Sequence, residues 1–267
     1  MTYQVAIPSY KRPRWLAERT LNALISGKVP SKQITVFVHD NDPHLDAYVD
    51  IAESLGVNLK ATPARGIIEQ RQYIHDSYPD GTELVQVDDD VSGYSRLHEG
   101  KLAPARSVDK LFSSSFTITK REGLTAWGLY PVNNHFFMKP GYSTDLKFLI
   151  YTTVGVIVKK GHPAVQNTVE TKDDYEHSLR RWWWDGGVVR RNNFTAHAAV
   201  YKGEGGLSGS PVRTSNRTEL AVVELERQWG DKVRRNQNRK SELPEILLGR
   251  GKRHAGKPFG TPPPGVS

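Results

Sequence analysis

The 267-residue chain contains no cysteine, which excludes a disulfide framework, a thiolate zinc site and a cysteine nucleophile. It also lacks a long hydrophobic run. The longest nearly apolar stretch, residues 148–158, is broken by Thr152, Thr153 and Gly155 and is too short to span a bilayer. The opening Tyr3-Gln4-Val5-Ala6-Ile7-Pro8 reads as a strand and has no signal-peptide core. Residues 258–267 carry no charged side chain and have the Gly/Pro composition of a flexible tail. No internal repeat is visible. These absences predict a soluble, cytoplasmic protein with no membrane partner, built as one large domain or a domain with an appendage.

With 37% hydrophobic and 25% charged residues, the chain has enough apolar material for a packed core. Its net charge of +8 is concentrated. Residues 227–257 hold ten Lys and Arg against Asp231, Glu242 and Glu245, which accounts for seven of the eight charges. The expected division is a near-neutral body over 1–226, a basic segment over 227–257 and a tail over 258–267. Such a segment suits a polyanion, most simply nucleic acid, or serves only as a solubilising surface.

The first 90 residues alternate strand and helix patterns. Strands are expected at 5–7, 34–38, 57–61 and 83–87, and helices at 15–25, 45–55 and 67–78. This order implies a parallel, doubly wound sheet, whose ligands bind outside the carboxyl ends of the strands. Those ends carry Pro8-Ser9-Tyr10-Lys11-Arg12, His39-Asp40-Asn41-Asp42, Thr62-Pro63-Ala64-Arg65 and Asp88-Asp89-Asp90. Further on, strands are expected at 125–129, 149–158 and 195–201, around a stretch rich in aromatics and amides that includes Tyr130, Asn133, Asn134, His135, Phe136 and Phe137. Helices are expected at 172–184 and 218–229, with a flexible glycine-rich segment at 203–209.

Three successive aspartates at a strand end repel one another unless cations or donors offset them. All-oxygen ligands suit Mg²⁺ or Mn²⁺ bridged to substrate phosphates, whereas an acidic turn with local hydrogen bonds is the structural alternative. Ser9, Arg12 and Arg65 stand at neighbouring strand ends and could hold a diphosphate. Thr171 and Asp174 have capping-box spacing, so Asp174 is either a helix cap or a carboxylate able to take a proton from a hydroxyl. Of Trp182, Trp183 and Trp184, at least one is expected in the core, leaving the others to stack on a base or sugar. His197 becomes a metal ligand only if its strand returns to the aspartates.

Val5-Ala6-Ile7-Pro8-Ser9-Tyr10-Lys11-Arg12-Pro13, Ala64-Arg65-Gly66-Ile67, Val87-Asp88-Asp89-Asp90-Val91 and Asp173-Asp174 resemble glycosyltransferases of the GT-A fold over residues 3–210. The block from Asp173 to Trp184 and the basic C-terminus look most like the TET-associated glycosyltransferases of phages, which attach sugars to 5-hydroxymethylcytosine in DNA. The resemblance implies a mostly parallel α/β sheet with helices on both faces and a basic extension. It implies a nucleotide-sugar donor, UDP-linked as the expected form, and a divalent Mn²⁺ or Mg²⁺. Ser9, Tyr10, Arg12, Asp40 or Asp42, Arg65, Asp88 and Asp89 match donor-binding positions. Asp90, with Asp88 and His197, matches the metal site, and Asp174 or Asp173 the acceptor-activating base. DNA contacts would come from Trp183, Trp184, Lys232, Arg234, Arg235, Arg239, Arg250, Lys252 and Arg253. A segment at 202–210 could close over the donor. A glycan, lipid or protein acceptor, a nucleotidyltransferase, and a non-catalytic nucleic-acid binder are the competing readings.

Overall fold

The computed structural model describes residues 2–198, 214–238 and 243–266. Strands β1 (Gln4–Ser9), β2 (Ile34–His39), β3 (Asn58–Thr62) and β4 (Glu83–Val87) lie in the order β3-β2-β1-β4, all parallel. Helical crossovers join them. Pro13 opens the first, at a position where a missing N–H costs nothing; it runs through α1 (Pro13–Leu16), a π-helical turn (Ala17–Leu21) and α2 (Asn22–Ser26). The others are α3 (Leu45–Leu55), closed by Gly56 at φ 64°, and α4 (Gly66–Asp76). Period-two alternation sends Val5 and Ile7 into the core on one face of the sheet and Ala6 into that on the other.

After β4 come β5 (Val91–His98), β6 (Lys101–Pro104), α5 (Val108–Arg121), β7 (Ala126–Leu129), β8 (Tyr142–Ser143) and β9 (Thr153–Ile157). Then follow α6 (Asp173–Asp185), β10 (Val189–Arg191), β11 (Phe194–Ala198), α7 (Ser215–Trp229), β12 (Val233–Arg235) and β13 (Ile246–Leu248). The main sheet continues from β4 as β9-β7-β10-β8. β9 is antiparallel to both β4 and β7, so β7 runs in the same direction as β4 and leaves the sheet at the same edge. β11 pairs with β5, placing Ala198 opposite Val91, directly after the aspartate run. This is the GT-A-like, mostly parallel α/β sheet with helices on its faces.

Three local expectations change. Within 149–158 only Thr153–Ile157 is strand, because the Leu149 N–H is captured by Ser178 Oγ at 2.8 Å, outside the sheet's ladder. The strand expected at 195–201 is described only to Ala198. Residues 199–213, including the proposed closing segment 202–210, lie outside the described residues, as does Arg239.

The basic segment is packed against the body. Leu179 and Trp182 of α6 form a third core cluster with Ala221, Val222, Leu225 and Trp229 of α7 and with Val233 and Ile246 of β12 and β13. Gly186 ends α6 at φ 86°, and a Cβ there would lie 2.1 Å from the His254 carbonyl oxygen. Only glycine permits both the turn and that approach. The His254 N–H donates to the Gly186 carbonyl at 2.9 Å, and the Gly265 N–H to that of Gln228 at 2.8 Å. Residues 258–266, expected as a free tail, therefore return along α7. Among the described residues no helix is long and apolar enough to cross a membrane.

Candidate active site

The four parallel strands deliver their carboxyl ends to one edge. Asp88-Asp89-Asp90 follows β4 there, and Thr20 holds its backbone. The Thr20 hydroxyl donates to the Asp88 carbonyl at 2.8 Å and accepts from the Val91 N–H at 2.9 Å. Thr20 belongs to the π-helical turn, so that irregularity aims a buried side chain at the aspartates.

The three carboxylates have different surroundings. Asp89, only 2% exposed, accepts from Ser9 Oγ at 2.6 Å and Arg12 Nε at 2.8 Å, with a second Arg12 contact through Nη2. Tyr48 hydroxyl completes the cluster with Ser9 at 2.8 Å and accepts the Arg12 N–H at 3.0 Å. Asp89 and Ser9 therefore position Arg12 from inside, because the bidentate ion pair turns the carboxylate inward. Asp88 accepts from Arg71 Nη2 at 2.9 Å. Burial pushes its pKa up to about 7 against the opposing pull of Arg71, with Asp90 and Asp89 adding to the rise. Asp90 makes no ion pair among the described residues, and its carboxylate accepts its own backbone N–H. Its pKa is raised by burial and by Asp89.

Arg71 joins this run to α6. Its guanidinium ion-pairs with both Asp173 and Asp88 and lies 3.7 Å from the centre of the Tyr151 ring. The Tyr151 hydroxyl in turn shares a 2.6 Å hydrogen bond with His177 Nδ1. Asp173 is thus neutralised by Arg71. Asp174 has only the Tyr175 N–H, at 3.0 Å. Burial, then the Asp173 charge, lifts the Asp174 pKa to about 7, opposed by Arg71 and Lys172. The capping box does not form: Lys172 occupies the cap at φ 64°, and Thr171 Oγ1 is buried without a partner. Asp174 remains as a half-buried carboxylate poised near neutral pH.

Asp42 is buried and accepts from the Lys11 N–H at 2.8 Å and the His44 N–H at 2.9 Å. It shapes the loop after β1, which leaves exposed Asp40 as the acidic group of that pair facing solvent. Tyr10 is exposed at the same edge, and exposed Arg65 has no ion-pair partner among the described residues. The β11 strand does return to the aspartates. The His197 ring, however, is engaged by Ser95 Oγ at 2.7 Å and by the Asn133 side-chain amide at 3.3 Å. No group of three or more His, Asp and Glu side chains among the described residues is arranged to hold a metal.

The tryptophan run is structural, against expectation. Trp184 is 7% exposed with Arg180 over its ring, and Trp183 packs on Trp182, Trp229 and His254, its Nε1 donating to the Thr261 carbonyl. Trp184 is buried, and Trp183 is half-buried beneath the returning C-terminal segment. Several cations expected on DNA are paired on the surface: Arg235 with Glu219 and Glu226, Arg253 with Glu122, and Lys232 with Asp231. Arg234, Arg250 and Lys252 are exposed without ion-pair partners among the described residues.

No protein-family model and no curated protein matches the chain. Among solved structures, residues 1–349 of S. aureus TarS align over 85% of this chain and 66% of that one, at a TM-score of 0.53 and 12% identity. The likeness is one of fold. Glucosyl-3-phosphoglycerate synthase from Mycobacterium tuberculosis, in complex with Mn²⁺, UDP-glucose and phosphoglyceric acid, aligns over 50% of this chain and 45% of its own, at a TM-score of 0.34 and 12% identity.

Arg71, Tyr48, Thr20 and Tyr151 escaped the sequence reading. Arg71 left one sign. It falls on the stripe Ile67, Gln70, Arg71, Ile74, at the spacing of a helix's inward face, where a charge needs buried partners.

Proposed function

We propose that the protein is a metal-dependent glycosyltransferase that moves a sugar from a nucleotide sugar, UDP-linked by the family resemblance, to the hydroxyl of 5-hydroxymethylcytosine in DNA. The observation that carries the transferase reading is the Asp88–Arg71–Asp173 bridge, which sets an aspartate run ending in Asp90, free of ion pairs among the described residues, beside a separate carboxylate, Asp174, poised near pH 7. Two carboxylate centres with different tasks are what a proton-coupled displacement from a diphosphate needs.

The donor set fits a hard divalent ion. Asp90, with Asp88, would hold it: burial and the Asp89 charge disfavour the Asp90 carboxylate, Arg12 and Arg19 oppose that only in part, and a divalent ion would relieve the remainder. Two carboxylates would leave positions on the ion for substrate phosphate and water, as Mg²⁺ sites commonly do. When bound, the ion neutralises charge on the departing diphosphate. Arg65 reaches the diphosphate and Asp40 the base. Asp174 accepts the acceptor proton while the oxygen bonds to the anomeric carbon and the carbon–diphosphate bond breaks.

A panel of nucleotide sugars offered with DNA containing cytosine or hydroxymethylcytosine, read by nucleoside mass spectrometry, tests the reaction. A glycosylated hydroxymethylcytosine nucleoside is the expected product. Transfer only to glycans, lipids or proteins rejects the DNA acceptor; absence of transfer and of donor hydrolysis with every sugar rejects the transferase.

The pH profile follows from the direction of the Asp174 shift. The carboxylate accepts a proton only when ionised, so kcat/KM rises with pH through about 7 and levels off above it. An ordinary carboxylate would already be ionised at pH 5. A flat profile between pH 5 and 9 removes Asp174 as the base.

The basic segment contributes to DNA binding through its unpaired cations. Replacing Arg234, Arg250 and Lys252 with glutamine removes three phosphate contacts and lowers the slope of log affinity against log salt by about 2.7 for duplex DNA. Nucleotide-sugar hydrolysis is expected to stay unchanged. An unchanged slope makes these residues a solubilising surface only.

A further inference from the structure

The loop after β7 carries the most exposed aromatic side chains of the described residues. Phe136 is 81% and Phe137 62% exposed, with Val132 beside them in sequence and also exposed. Water-exposed phenyl rings on adjacent residues are costly unless something covers them. The turn presenting them is built: Asn134 Oδ1 caps the 3-10 helix His135–Phe137 by accepting the Phe136 N–H. Its stem is tied to the strand pair beyond it. The Tyr130 N–H donates to the Phe194 carbonyl at 2.8 Å, the Lys139 N–H to that of Asn192 at 3.3 Å, and Asn133 reaches His197.

Topology places this turn at the active-site edge. β7 is parallel to β4 with β9 between them, so the two carboxyl ends lie two strand spacings apart, about 10 Å. Charge argues for the partner. Residues 126–144 contain no carboxylate but include Lys139. Arg190 lies 4.9 Å from the Tyr130 ring centre, and the adjoining β5–β6 hairpin carries Arg96 and Lys101 against Glu99 alone. Exposed rings, side-chain amides and an excess of cations, opposed only by Glu99 and by Asp145 beside Arg190, together suit a chain of phosphates bearing flat apolar bases.

The geometry points to Phe136 and Phe137 as the platform on which bases of the acceptor strand stack, holding the modified nucleotide over Asp174. The inference rests on the DNA reading of the acceptor. It also supplies what Trp183, packed on Trp182, Trp229 and His254, and the buried Trp184 do not. An enzyme working on one base must draw it from the duplex stack, and an aromatic pair beside the site takes the place of the lost neighbours.

The experiment uses the full chain and a single-stranded oligonucleotide with 2-aminopurine beside one hydroxymethylcytosine. Affinity is read by anisotropy, stacking by 2-aminopurine fluorescence and turnover by mass spectrometry. F136A/F137A, at two exposed positions, is expected to fold normally. It should weaken DNA affinity by about 5- to 150-fold per lost ring and abolish the fluorescence change, while nucleotide-sugar hydrolysis keeps its wild-type kcat and KM. F136W/F137W should retain binding. Wild-type DNA affinity and fluorescence response in F136A/F137A overturn the platform, as does a parallel loss of donor hydrolysis, which would place the rings in the donor site. Binding of wild type but not F136A/F137A to phosphatidylglycerol vesicles, with DNA affinity equal in both, assigns the patch to a membrane and also overturns it. If the wild type glycosylates only a non-nucleic acceptor, the functional reading fails separately, because anisotropy reports DNA stacking without turnover.

Discussion

Asp90→Asn is expected to lower sugar transfer by about 10³-fold or more, because several kcal/mol of charge stabilisation leave with the metal. The fold should survive. Asp90 makes no ion pair among the described residues and bonds only to its own backbone N–H, and its carboxylate is disfavoured by burial and by Asp89, so removing the charge relieves a repulsion. The metal-free variant therefore melts no lower than the metal-free wild type, while the rise in Tm produced by Mn²⁺ in the wild type disappears. EDTA should silence the wild type to a similar degree. Undiminished turnover in excess EDTA would sink the metal role, and a variant that unfolds would mean that Asp90 is structural.

Asp174→Asn separates base from scaffold. Asparagine keeps the size and can still accept the Tyr175 N–H, but it cannot take the proton. Transfer should fall by roughly 10²- to 10⁴-fold with donor affinity nearly unchanged, and the rise in kcat/KM through pH 7 should vanish with it. Because Thr171 and Asp174 form no capping box, little stability is at stake. Asp173→Asn behaves differently. It leaves Arg71 buried with Asp88 alone, and breaking a buried pair typically costs about 3–5 kcal/mol, so its first effect is on thermal stability. Near-normal turnover in Asp174→Asn, with loss of activity in a well-folded Asp173→Asn, would exchange the two roles.

Local sequence pattern determined the first half of this molecule closely. Helical spacing and β-branched runs placed β1, β2, β4, α3 and α4 within a few residues, since each element buries one face and the period of burial is written into the chain. The parallel order then named the edge where the proposed site lies. Asp88, Asp90, Asp40, Arg65 and Asp174 were legible for the same reason: they stand at strand ends or at a helix start, where backbone geometry alone fixes the neighbourhood.

What only the tertiary structure decided is the state of each charge. Three adjacent aspartates look alike in sequence, yet Arg12 and Ser9 take Asp89, Arg71 takes Asp88, and Asp90 is left unpaired. Those partners lie 17 to 80 residues away along the chain, a separation that no local period encodes. The same holds for Trp183, packed against chain some 70 to 80 residues downstream, and for Arg235 and Arg253, neutralised by acids on α7 and beyond α5. Composition counts charges and rings but carries no record of what folds over them. Burial and pairing arise from long-range packing, and they settle which aspartate, which aromatic and which cation remain free to act.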